Sequence, residues 1–275
     1  MLLKYVRFDE ARLADVRVYR AETVGDIKAA LTLLHDVYTT VGIIKPNEAR
    51  LHVTKYNALP TTMIFVAKKG DRVVGTLSMV LDTDLGLPAD STHRAEVDSL
   101  RAQGLALAEV VGTACASEYR GSGLVLYLYR IMVHSALRAN LDRVVMRAAP
   151  KGALLYEELM VCQRLGATRP DPLLNNKPFA ALTLDLQTCA DRAVRRFDGL
   201  VPYVKTPHYY FFGKDLPQLE VPDTFTVTTQ RREAVASLLC ARHDLFRSLP
   251  TNERVYYRSI LPEVDFSCLL PSVPI

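Results

Sequence analysis

The segment Arg120-Gly121-Ser122-Gly123-Leu124 has the composition of an anion-binding turn. It follows an apolar run, Val110-Val111-Gly112-Thr113-Ala114, headed by a carboxylate at Glu109, and it opens a second apolar stretch from Leu124 to about Asn140. The first N–H groups of a helix have no acceptor within it, and the helix dipole adds partial positive charge at that end. Gly121 and Gly123 let the backbone approach a phosphate closely, while the Arg120 guanidinium supplies a charge-assisted contact. An isolated Arg-Gly-Xaa-Gly is a weak signal, but an apolar strand that carries a carboxylate and feeds directly into it makes a stronger one.

Other reactive residue types point nowhere. Cys115 has no neighbouring histidine to activate it and reads as a small apolar strand residue. His35, His52, His93, His134, His208 and His243 form no metal-binding spacing, so no metal is expected.

The elements that position the loop follow from patterning. A strand is expected near Asp15–Glu22. A helix is expected from Asp26, read as its N-cap, through Ile27, Leu31, Leu34, Tyr38 and Val41 to a stop at Gly42. Thr61–Lys68 and Arg72–Leu81 are apolar and β-branched around Lys69-Gly70-Asp71, which predicts a hairpin. A short helix from Pro88 and Asp90 ends before Gly104, and a strand from Leu105 to Cys115 leads into the loop. Further on come a strand at Arg143–Ala149, a helix from Gly152 to about Cys162 and a strand at Phe179–Leu186.

The chain has 275 residues, of which 49% are hydrophobic, enough for a substantial core. A formal net charge of +4 with no block of like charges excludes a nucleic-acid-binding tail, yet suits an acidic partner. Five cysteines without close spacing argue for a reducing, cytoplasmic setting with neither a disulfide framework nor a zinc site. No apolar run is long enough for a membrane span, and the N-terminus is interrupted by charge too early for a signal peptide.

This order of elements resembles the GNAT superfamily of amine N-acyltransferases and, within it, the long-chain N-acyl amino acid synthases, relatives of the acyl-homoserine lactone synthases. Three segments carry the resemblance. They are Gly75-Thr76-Leu77-Ser78-Met79-Val80 with Asp82 and Gly86-Leu87-Pro88; Glu96-Val97-Asp98-Ser99-Leu100-Arg101 with Gly104 and Leu107-Ala108-Glu109-Val110; and Glu118 to Leu124 with Tyr156 and Asn176-Lys177-Pro178. Together they span roughly residues 18–186. The implied fold is α/β (α+β), a mixed, bent central sheet flanked by helices. Residues 1–186 would form the catalytic domain and residues 187–275 an extension packed on it.

The resemblance implies transfer of a long-chain acyl group from a phosphopantetheine thioester, with acyl-carrier protein as donor and an amino acid or similar amine as acceptor. No tightly bound cofactor is implied. Acyl-CoA acting on a small amine, or a non-catalytic thioester-binding module, are the alternatives. An attacking amine must be neutral, so Glu109 is the candidate base or ammonium holder. Backbone N–H groups among Val110, Val111, Gly112 and Thr113 would face the thioester oxygen and the acceptor. Tyr156 matches the family tyrosine that protonates the departing thiolate. Arg120, Gly121, Ser122, Gly123 and Leu124 would bind the donor's phosphate.

Two departures stand out. The family's Ser-Arg pair after Glu-Val is replaced by Val111-Gly112, and Val161-Cys162 replaces a familiar Gly-Phe. Val125, where most of the superfamily has Gly or Ala, agrees with the carrier-protein branch. Arg138, Arg143, Arg147 and Lys151 form a basic cluster suited to an acidic carrier protein. Beyond Leu186, Val201–Pro222 is broken by prolines around Tyr209-Tyr210-Phe211-Phe212, read as covering the core. Gln230–Arg247 reads as one amphipathic helix with Val235, Leu238, Leu239 and Leu245 on its apolar side.

Overall fold

Lys69-Gly70-Asp71 turns the chain between β2 (Met63–Lys69) and β3 (Arg72–Leu81) in the computed structural model, with Gly70 at φ +57°. The description covers residues 8–198, 210–211, 219–220, 226–262, 264 and 266. Around this hairpin lie β1 (Val16–Arg20), β4 (Leu107–Cys115), β5 (Arg143–Ala148) and β8 (Lys177–Asp185). Short strands β6 (Gln163–Arg164), β7 (Arg169–Asp171) and β9 (Leu219–Glu220) complete the sheet. The order is β6-β8-β5-β4-β3-β2-β1-β9, with β7 also pairing β8. β4 and β5 run parallel, as do β1 and β9, and the remaining pairings are antiparallel. This is the mixed sheet expected from the sequence.

Helices cover both faces. On one side α4 (Leu124–Arg138), α5 (Pro150–Leu159) and α6 (Cys189–Phe197) bury Leu128, Ile131, Met132, Leu159 and Phe197 against the sheet. Each such side chain contributes about 1.5–3 kcal/mol of transfer free energy. Gly75 lies directly beneath α4, where a Cβ would come within 3.1–3.2 Å of Leu124 and Leu128. Tyr210 and Phe211 pack on this same side, Tyr210 against Phe8, Tyr127 and Arg130. Tyr209, Phe212 and the flanking prolines lie outside the described residues.

The opposite side holds α2 (Val24–Thr40), α3 (Asp90–Arg101) and the C-terminal helices α7 (Thr229–Ala241), α8 (His243–Ser248) and α9 (Thr251–Ile260). A four-residue α1 (Glu10–Leu13) precedes β1. The helix expected from Asp26 starts earlier. Thr23 is its cap, its hydroxyl accepting from the Asp26 N–H at 3.1 Å, while Asp26 turns to Lys68 and Tyr19. The single helix expected over Gln230–Arg247 is two, broken at Arg242 (φ −128°, ψ 48°). Val235, Leu238 and Leu239 are buried as the periodicity required. α6 and α9 have no counterpart in the sequence reading.

Arg101 ties Asp82 to Asp90. Its guanidinium donates to both Asp82 oxygens at 2.7 and 2.8 Å and to both Asp90 oxygens at 2.9 Å. Asp90 Oδ2 also accepts from the Leu87 N–H at 2.9 Å. The cluster fixes the 82–90 connection between β3 and α3 so that the next backbone N–H, that of Ala89, meets Glu109.

Candidate active site

Alternation along β4 decides where Glu109 points. Ala108 and Val110 belong to the α4 side of the sheet, and Leu107 and Val111 to the opposite side, which Glu109 shares. Its carboxylate is fully buried. Oε2 accepts from the Ala89 N–H at 2.6 Å, and Oε1 from Arg147 Nε at 2.8 Å. Arg147 lies on the same face of neighbouring β5, and its Nη1 also contacts Asp171 Oδ2. Asp171 is itself fully buried and accepts from the Leu173 N–H at 2.9 Å. Burial pushes the Glu109 carboxyl above its ordinary range, and Arg147 and the Ala89 N–H draw it only part of the way back. Burial opposes the charge on Arg147 as well, but Glu109 and Asp171 outweigh it and hold the guanidinium protonated.

Glu109 and Arg147 line a chamber of about 310 Å³, with Asp171 paired to Arg147. Leu34 and Tyr38 of α2, His52–Asn57, Pro88, Leu173, Leu174 and Phe179 line it, together with Val110, Val111 and Gly112. His52 is pushed down to about 4 by burial, reinforced by His35 and Arg242, so it is neutral at physiological pH. The basic cluster expected around the α4–β5 connection is therefore split. Arg147 is a buried member of the site, Arg143 pairs with Asp185 at 2.8 Å, and Arg138 and Lys151 remain exposed.

At Gly112 the strand changes course. Ser78 pairs with Val111 and Thr76 with Ala114, so Gly112 and Thr113 bulge opposite Leu77. Gly112 has φ +63°, and a Cβ there would lie 2.9 Å from Leu34 Cδ2. A glycine thus meets a conformational need at the position where the resemblance implies arginine. Pairing with β5 ends at Val110↔Met146, while β4 stays paired to β3 as far as Cys115. β4 and β5 therefore part before the Arg120–Gly123 loop is reached.

Past the bulge lies a second cavity, about 390 Å³, lined by Thr113, Cys115, Arg120, Gly121, Gly123 and Leu124 among others. Gly121 (φ +74°) and Gly123 (φ +91°) both occupy the left-handed region, and α4 starts at Leu124. Ser122 plays an internal part. Its buried hydroxyl donates to the Tyr119 carbonyl at 2.7 Å and accepts from the Leu124 N–H at 3.3 Å. Cys115 also lines this cleft, with its thiol pushed up to about 12 by burial, which keeps it protonated and inert.

Tyr156 stands behind the cleft rather than on its wall. Its hydroxyl meets that of Tyr129 at 2.6 Å, and Tyr129 meets Thr113 Oγ1 at 3.2 Å. Burial raises both phenols, so both are protonated at neutral pH. A chain of hydroxyls therefore runs from α5 to the cleft. Tyr129, Arg147 and Asp171 are the site residues that the sequence reading missed. The spacing of Glu109 and Arg147 on two strands reveals a pair only once the register Glu109↔Val145 is known.

The sequence model of the N-acyl amino acid synthase FeeM family matches residues 29–185, more than half of the chain. The solved structure of FeeM, an N-acyl amino acid synthase from uncultured soil microbes, superposes with a TM-score of 0.58 at 22% identity, covering 66% of this chain and 96% of that one. The acyl-homoserine lactone synthase LasI aligns with a TM-score of 0.49 at 17% identity over 62% of this chain and 89% of its own. No curated protein matches in sequence. The matched stretch contains β4 with Glu109, the Arg120–Gly123 loop and the Tyr156 helix, and with it the chain belongs to the N-acyl amino acid synthase FeeM family of acyltransferases.

Proposed function

We propose that the protein transfers a long-chain acyl group from acyl-carrier protein to the amino group of an amino acid or similar amine. The observation that carries this reading is the bulge at Gly112-Thr113, where one strand passes from a chamber holding a buried carboxylate to a cleft walled by a phosphate-binding loop. The donor's phosphate rests on Arg120 and the N–H groups of Gly121, Gly123 and the first turn of α4. Its pantetheine arm runs through the opening between β4 and β5 and brings the thioester to the bulge.

The amine in the chamber attacks the thioester carbonyl carbon. The C–N bond forms, the C–S bond breaks, and backbone N–H groups of the bulge stabilise the oxygen as it gains negative charge. Glu109 takes the proton released by nitrogen. Tyr156, through the hydroxyls of Tyr129 and Thr113, returns a proton to the departing thiolate. Exposed Arg138 and Lys151 and the exposed Arg120 at the cleft suit an acidic carrier protein. The family match over residues 29–185 supports an acyltransferase domain over residues 1–186 with a C-terminal extension packed on it, and the five cysteines without close spacing favour the cytoplasm as its setting.

Mass spectrometry of lipids from cells expressing the protein tests the reaction. A new long-chain N-acyl amino acid is expected, and it should disappear with Glu109→Gln. Purified enzyme then receives the same acyl group on carrier protein and on CoA. Faster turnover from the carrier protein supports the donor assignment, and a preference for short-chain acyl-CoA overturns it. Donor binding without any product would leave a thioester-binding module.

A further inference from the structure

The family match ends at residue 185, yet the chamber holding Glu109 is closed by residues far beyond it. Leu245 of α8 and Leu249, just after it, join its lining. These are not incidental neighbours, because the C-terminal helices also hold the segment that forms the adjoining wall. Arg231 of α7 is fully buried, and its Nη2 donates to the carbonyls of Asn57, Leu59 and Thr62 at 3.4, 3.3 and 2.9 Å. Arg242 donates to the Leu51 carbonyl at 3.1 Å, Lys55 pairs with Glu253 at 2.5 Å, and the Tyr257 hydroxyl donates to the Lys55 carbonyl. Residues 52–57, which supply His52, Val53 and Tyr56 to the chamber, thus hang from α7 and α9.

We infer that the C-terminal helices are a working wall of the substrate chamber, and that Leu245 and Leu249 gauge the hydrocarbon group held beside Glu109. The inference rests on the acyl-transfer reading above. Glu109 and Arg147 are paired to each other in the lining, and beside the polar His52, Thr54 and Asn57 the side chains of Val53, Leu173, Phe179, Leu245 and Leu249 present only carbon. Such a wall recognises a hydrocarbon by the length it can bury, roughly fourfold in affinity for each further methylene that fits. The hydrocarbon belongs either to the donor's acyl chain or to an apolar side chain of the amine.

Calorimetric titration separates these sources without requiring turnover. One series is saturated fatty acids of about eight to about sixteen carbons, and the other is L-alanine, L-valine, L-leucine and L-phenylalanine. The wild type is compared with Leu245→Ala, Leu249→Ala and Leu249→Phe. The alanine variants should favour larger members of one series, by roughly fourfold per added methylene, and Leu249→Phe should favour smaller ones. A shift among the fatty acids assigns the chamber to the acyl group, and a shift among the amino acids assigns it to the acceptor. Profiles that superimpose on the wild type in both series, or a wild type that binds neither, overturn the inference. Should Leu249→Ala fail to fold, Leu249→Phe and Leu249→Met give the same readout in a filled site. Shifted binding without product would sink the catalytic reading and leave the gauging wall standing.

Discussion

Glu109, the proposed base, is held in an ion pair, and the two roles pull in opposite directions. Arg147 stabilises its ionised form while burial opposes it, and the net effect is a raised carboxyl that still has an acceptor lone pair for the amine. Glu109→Gln keeps the shape and removes the basicity, so turnover should fall by about 10²–10⁴-fold with donor binding retained. Wild-type turnover should rise with pH through the raised carboxyl, and the variant should lack that limb. Near-normal turnover by the variant across the pH series would remove Glu109 as the base. Tyr156→Phe should slow reaction most with a poor leaving group, and equal losses with good and poor thiols would count against its role as acid. His52 gives a stability test. Its folded pKa of about 4 lies below the ordinary value near 6.5, so the unfolded chain takes up a proton that the folded chain refuses. Its contribution is level above that window and falls as pH drops through it, by about 3 kcal/mol at most. His52→Phe should therefore lose less stability than the wild type between pH 7 and pH 4 in urea titrations. Parallel curves would show that His52 is not the titrating group.

At the scale of the element, the bulge in β4 separates the chamber from the cleft. Gly112 needs its left-handed φ and the space beside Leu34, whereas Gly104, after α3, needs only its φ of +73° and has open space around it. Gly112→Ala should lower stability by more than the roughly 1–2 kcal/mol of left-handed strain alone, and should reduce turnover as the bulge shifts. Gly104→Ala should incur the strain and leave turnover intact. Equal kinetic effects of the two would show that the bulge is not what aligns the site. The same element carries the family's departure. An arginine at position 112 meets both obstacles at once, and Arg147, reaching across from β5, already provides a guanidinium beside Glu109.

Across the whole molecule, the C-terminal helices share a buried core with the sheet. Phe246, Leu249, Tyr257 and Leu261 are buried in one cluster with Tyr56, Leu59, Val97, Leu107 and Val145. Tyr257→Ala on α9 should remove about 3–5 kcal/mol and lower a single melting transition of the entire chain by on the order of 10 °C. A separate low-temperature transition, with the rest of the chain melting unchanged, would instead make the extension an independent unit. Among the described residues no helix is long and apolar enough to cross a membrane.

Local rules made much of this protein legible in its sequence. Apolar, β-branched runs on either side of Gly70 gave the β2–β3 hairpin, and the glycines of Arg120-Gly121-Ser122-Gly123 gave a loop that does open α4. The expected placement of Glu109 on the strand before that loop also holds. These depend on residues a few positions apart, where backbone preference and burial periodicity act directly. The break at Arg242 and the α9 helix were harder to read, because distant packing overrides weak local preference there. Tertiary structure alone decided the rest. Arg147 reads as a surface charge until the parallel register of β4 and β5 sets it beside Glu109, and Asp171 joins only through β7 pairing on β8. Leu245 and Leu249, like Arg231, carry no sign in the sequence that they face residues nearly two hundred positions earlier. Such contacts are fixed by how layers stack on a sheet, and no local spacing encodes them.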